Sequence, residues 1–234
     1  MSKVIYFFNK EKDAYNIWDT INKGEIYGFD FSKNLPEKIT AICKGKKFEE
    51  VKSKIYEFNN NLYNSELPEK IAKSVNELWS SIENAFLYKL KEITSKDIFP
   101  GDVMGYLTSV SRCPYDPKKR TFMISLYSNP LAILQSSAHE IFHMQFHHYF
   151  FEEVEKKVGK EKAHDIKESV TVLLNLECKN ILLVKDKGYE SHKSLREHIE
   201  KIWLQKKDFN FLLNSCINYI LKNERGLNKN EKSN

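Results

Sequence analysis

Ala138-His139-Glu140-Ile141-Phe142-His143 is the stretch on which the reading of this chain turns. Residues four apart on an α-helix lie about one turn, or roughly 6 Å, apart on the same face, so His139 and His143 can present both imidazoles to one ion. Glu140 points to a neighbouring position, where it is no ligand but can take a proton from a water that the ion has acidified. The run therefore predicts a metal-assisted hydrolytic site, provided that it lies within a helix and finds a third ligand.

Working outward, Ser128-Asn129-Pro130 predicts the helix start, with Asn129 as cap and Pro130 at the first helical position. The helix is expected to run through Phe146, Tyr149, Phe150 and Phe151 toward Gly159. A second helix is expected from Glu161 to about Lys187, ended by Gly188, with two more around Leu195 to Leu204 and Phe209 to Leu221. The polar residues from Lys222 to Asn234 are expected to be a disordered tail.

On the other side, Pro100-Gly101 breaks the pattern, and the β-like runs Tyr106 to Val110 and Thr121 to Tyr127 flank the turn-rich Cys113-Pro114-Tyr115-Asp116-Pro117. This predicts a hairpin, and if its second strand is a sheet edge beside the motif helix, its backbone is available to an extended peptide. Val4 to Phe8 reads as a strand. Val51, Ile55, Phe58 and Leu62 give a short helix interrupted at Asn59-Asn60-Asn61, and Ile71, Val75, Leu78, Ile82, Phe86, Leu90 and Ile93 give a long amphipathic one opened by Pro68. The expected fold is α+β and mainly helical: a strand and helical scaffold over 1–99, joined in one compact unit to a catalytic region over 100–221, then the tail 222–234.

A chain of 234 residues with 41% hydrophobic content can bury a real core. Its net charge of +5 sits on a Lys-rich background with nearly as many acids, and the longest basic run is Lys118-Lys119-Arg120. With no zinc finger, helix-turn-helix or aromatic-basic signature, nucleic acid is not expected as a partner. Cys43, Cys113, Cys178 and Cys216 are widely spaced and read as reduced, mostly buried thiols. The N-terminal apolar run is too short for a signal peptide and no segment reads as a membrane span, so the expected compartment is the cytoplasm.

A catalytic zinc takes three protein ligands and leaves a fourth position for water. His147 lies eight residues beyond His139, about 12 Å along a regular helix, too far for the same ion. Glu168, Thr171, Asn175 and Cys178 share one stripe of an otherwise apolar helix, and a buried carboxylate there needs a partner. Glu168 is the preferred third ligand, with Thr171 and Asn175 available to orient it. Glu177 is the rival: a strict antiparallel hairpin about Gly159 places it level with His143, whereas Glu168 is favoured if the motif helix ends near Tyr149 to Phe151.

A His139-Glu140-x-x-His143 run followed by a glutamate on the next helix resembles the zincin metallopeptidases of the gluzincin type, over roughly Tyr106 to Leu183. The resemblance implies one Zn2+ held by His139, His143 and Glu168, a peptide or protein substrate, and Glu140 as general base that passes its proton to the leaving amine. It also implies an oxyanion-stabilising Tyr or His, for which Tyr106, Tyr127, Tyr189 and His192 are candidates and Tyr189 and His192 are preferred. The metzincin pattern fails, since its glycine and third histidine positions hold Phe146 and Tyr149. A di-iron bundle built on Glu140-x-x-His143 and Glu161-x-x-His164 is disfavoured, because a hairpin about Gly159 separates the pairs by on the order of 25 Å. A purely structural zinc is disfavoured by Glu140, since such a site prefers a fourth ligand and needs no base.

Overall fold

The computed structural model describes residues 3–231. In chain order it forms β1 (Val4–Phe8), α1 (Lys10–Lys23), β2 (Glu25–Ile26), β3 (Phe29–Asp30), α2 (Glu37–Cys43), α3 (Phe48–Phe58), α4 (Asn60–Tyr63) and α5 (Leu67–Thr94). Then come β4 (Val103–Thr108), β5 (Tyr115–Asp116), β6 (Thr121–Ser125), α6 (Pro130–Tyr149), α7 (Phe151–Val158), α8 (Lys160–Val170), α9 (Val172–Glu177), α10 (Lys193–Gln205) and α11 (Phe209–Glu231). The chain is thus mainly helical with a small sheet, an α+β arrangement.

Two compact units are present, Met1–Glu83 with Gly101–Ser137, and Asn84–Pro100 with Ala138–Asn234. One crossing falls at Pro100-Gly101, where the sequence places its break. The other two lie inside α5 and α6, continuous helices whose apolar periodicity carries no mark of a boundary.

In the first unit the sheet order is β1-β4-β6-β5. The expected hairpin between the two β-like runs does not form, because β4 pairs parallel with both β1 and β6. The tight turn lies instead between β5 and β6. The Asp116 carboxylate accepts from the backbone N–H groups of Lys118 and Lys119 at 3.0 Å, and Arg120 takes φ 52°. The two-residue β5 then pairs antiparallel along the start of β6, so that part of β6 is not a sheet edge. Gly105 stands in register with Tyr6 on one side and Phe122 on the other, and a Cβ there would lie 2.6 Å from the Tyr6 ring. Tyr6 and Phe122 meet edge-on at 5.9 Å.

Asn9 caps α1, its side-chain oxygen accepting from the Glu11 and Lys12 amides at 3.1 and 3.0 Å. Ala14, Ile17 and Ile21 form one apolar stripe, packed with Ile39, Cys43, Val51, Ile55 and Val110. Asp13 is buried beside this stripe and accepts from the hydroxyls of Thr108 (2.7 Å), Ser109 (2.8 Å) and Tyr63 (2.8 Å) and from the Ser109 amide (2.6 Å). Those donors offset the cost of burying its charge.

In the second unit, Phe142 meets Phe209 at 6.2 Å, and Phe150 meets it at 4.9 Å. The motif helix ends at Tyr149, and α7 and α8 turn about Gly159 at φ 81°. The single helix expected from Glu161 to Lys187 is broken: α8 stops at Val170 and α9 at Glu177. The cause is local side-chain competition. The Thr171 hydroxyl lies 2.7 Å from both the Glu168 carbonyl and Asp186 Oδ2 and shares its one proton between them, and the Asn175 side chain bonds both the N–H and C=O of Asp186, each at 2.8 Å. Residues from Lys222 onward, expected to be a disordered tail, continue α11 as helical backbone to Glu231; 232–234 lie outside the described residues. Cys43, Cys178 and Cys216 are buried free thiols. Among the described residues no helix is long and apolar enough to cross a membrane.

Candidate metal centre

Asn129 caps α6, its side-chain oxygen accepting from the Ala132 amide at 3.0 Å, and Pro130 fills the first helical position. The motif consequently falls mid-helix, and His139 and His143 share a face with ring centroids 4.2 Å apart. Glu168 arrives from the last turn of α8. Its Oε2 lies 3.4 Å from His139 Nε2 and 3.2 Å from His143 Nε2. One ligand atom from each of His139, His143 and Glu168 lies within 4.8 Å of the others, and this is the one such group among the described residues.

Glu177 is directed elsewhere, accepting from Trp203 Nε1 at 2.7 Å and pairing with Lys207 at 2.9 Å. The rival geometry needed a motif helix continuing to Gly159, but α6 ends at Tyr149, which places Glu168 with the histidines. His147 is outside the group and stacks on Phe151 at 4.2 Å. Burial and the charge of Lys167 push its pKa down to about 4. Glu161 and His164 also stay outside the group. His192 is buried with Nε2 3.1 Å from Asp165, and Tyr189 stands edge-on to it at 5.7 Å.

Three further residues complete the surroundings, and sequence reading missed all of them. Asp186 Oδ1 lies 3.0 Å from His139 Nδ1. A carboxylate can only accept there, so Nδ1 carries the proton and Nε2 is the ring's ligating nitrogen. The Asp186 Oδ2 accepts from Thr171 at 2.7 Å and Arg196 at 2.9 Å, while the second Arg196 nitrogen donates to the Asp186 carbonyl at 2.7 Å. Gly188, at φ 66°, passes so close to Arg196 that a Cβ would lie 2.7 Å from its guanidinium. Lys167, 1% exposed, pairs with Glu168 Oε1 at 2.5 Å. The sequence reading carries the second helix through Lys185-Asp186-Lys187, where the one signal is a carboxylate close before Gly188.

The electrostatics fit a cation. Glu140, Glu168 and Asp186 supply three carboxylates against the two fixed cations Lys167 and Arg196. Burial works to lower the His139 pKa, but the Asp186 charge, its hydrogen bond and that of Glu168 prevail and raise it to about 10. The metal-free cluster thus gathers a proton where a divalent ion has its ligand. For His143, burial and the Lys167 charge press the pKa down to about 3, leaving a neutral imidazole suited to ligation. Burial opposes ionisation of Glu168, yet the two imidazoles and Lys167 hold its pKa well below the usual carboxylate range. Burial pushes Glu140 up to about 7 against the pull of His139 and Lys167. Its Oε2 is buried with no hydrogen-bond partner among the described residues. Such an atom costs free energy unless something visits it, which marks a place for a proton or a water.

A cavity of about 630 Å³ in the first unit, lined by residues that include Tyr15, Phe48, Tyr106, Tyr115 and Met123, takes no residue from this cluster. Comparison with family models, characterised proteins and solved structures finds no match to this chain.

Proposed function

We propose that this protein is a zinc-dependent metallopeptidase with a zincin-like domain of the gluzincin type. The observation that carries the reading is the convergence of His139, His143 and Glu168 within 4.8 Å, beside a buried Glu140 whose Oε2 has no partner among the described residues. Two imidazoles and one carboxylate are a ligand set of catalytic zinc, with a position left for water. When bound, zinc would acidify that water and polarise the scissile carbonyl.

The chain's own groups supply the rest. Asp186 fixes the His139 tautomer, and Arg196 and Thr171 hold Asp186 in turn. Glu140 would accept the proton of the attacking water and return it to the leaving amine. Tyr189 and His192 are the proposed supports for the developing oxyanion; Tyr189 is the stronger, since Asp165 engages His192 Nε2. The sheet preceding the motif helix and the helices following it agree with the order expected of such a domain.

Metal content by mass spectrometry on protein purified without added metal tests the site, and cleavage of a peptide library tests the activity. The expected result is about one zinc per chain, lost in Glu168→Ala and kept in Glu140→Gln, with cleavage abolished in both. A parent that stays metal-free after reconstitution refutes the metallopeptidase; a parent and Glu140→Gln that both bind zinc without cleaving leave a zinc-binding module.

A further inference from the structure

We propose that Lys167 is a positioning residue that commits Glu168 to one-oxygen ligation, an inference that rests on the metal reading above. A lysine is almost never fully buried unless it is paired. The Lys167 side chain is 2% exposed, and its ammonium reaches the carboxylate of the next residue on the same helix. Neighbouring residues on a helix point about 100° apart, so this contact requires the lysine to fold back toward the cluster.

The result divides the two Glu168 oxygens. Oε1 is held by Lys167, and Oε2 faces both imidazoles, at 3.4 Å from His139 and 3.2 Å from His143. A carboxylate whose second oxygen is occupied by an ammonium can offer a cation one atom. Without that restraint a carboxylate can close on the cation with both oxygens and take the position reserved for water. Lys167 thereby keeps the coordination sphere open, which is what separates a catalytic site from a closed one. The chain need not use a lysine merely to neutralise Glu168, since a divalent metal already does so.

The test uses the full-length protein loaded with Co2+, whose visible d–d absorption is strong in four-coordinate sites and weak in five- or six-coordinate ones. The parent is expected to give the strong band. Lys167→Met is expected to retain Co2+, because a like charge beside the cation has been removed, while the band falls severalfold and peptide cleavage is lost. Lys167→Gln, which keeps an N–H toward Oε1, is expected to restore much of the band; if the Met variant does not fold, Lys167→Leu, which also removes the donor, carries the test.

An unchanged band in a folded, Co2+-loaded Lys167→Met protein overturns the proposal, as does loss of Co2+ binding in that variant, which would make Lys167 a plain structural ion pair. A parent that takes up no Co2+ overturns the metal reading itself, and this proposal with it.

Discussion

Replacing Asp186 by asparagine keeps the shape of the side chain and removes only its charge, so it isolates what the carboxylate does for His139. In the parent, Oδ1 accepts from His139 Nδ1 at 3.0 Å, while Oδ2 accepts from Thr171 at 2.7 Å and Arg196 at 2.9 Å. In Asp186→Asn the new amide oxygen will stay with the two donors, which turns the amide N–H₂ toward His139. Nδ1 must then accept, the ring proton moves to Nε2, and the ligating nitrogen is blocked. Loss of such an orienting partner costs about 10- to 100-fold in metal affinity, or about 1.4 to 2.7 kcal/mol.

Stability should fall too, because Arg196, 7% exposed, loses its counter-charge; breaking a buried pair costs about 3 kcal/mol or more. Competition against a chromophoric chelator gives the zinc affinity, and urea unfolding of the metal-free protein gives the stability. An Asp186→Asn protein that is folded and binds zinc as tightly as the parent would refute the argument that Asp186 sets the His139 tautomer.

The pH dependence of metal-free stability should change in Glu140→Gln. The folded-state pKa of about 7 lies above the ordinary 4.5, so the buried carboxylate destabilises the fold as pH rises above 4.5 and does so fully above about 7. That separation corresponds to about 3 kcal/mol; the variant should match the parent near pH 4 and exceed it at pH 8, and equal gains at both values would contradict the burial argument. Glu177→Ala should keep its zinc while losing about 1 to 2 kcal/mol of stability through the Trp203 and Lys207 contacts, as metal analysis and thermal melting will report. Gly105→Ala should cost about 1 to 3 kcal/mol in urea unfolding, because its Cβ meets the Tyr6 ring at 2.6 Å between two paired strands; a neutral result would mean that Tyr6 can move aside.

The features that sequence determined are the local ones. Asn129-Pro130 started the motif helix, four-residue spacing set His139 and His143 on one face, and the run Ile71 to Ile93 fixed α5, because each depends on contacts within a turn or two of helix. Helix α1 carried the same kind of signal at Ala14, Ile17 and Ile21, beneath an outer face that includes Lys10, Glu11, Lys12 and Lys23, and went unread.

Tertiary structure decided whatever depends on residues distant in sequence. The strand signals at β4 and β6 were legible, but their parallel pairing was not, since period-two patterning identifies a strand and says nothing of its partner. Glu168 and Glu177 were equivalent by composition, and the end of α6 at Tyr149 selected between them. Asp186 became the partner of His139 only because Asn175 and Arg196 draw an aperiodic loop back across α8 and α9, bonds between residues whose spacing no local pattern records.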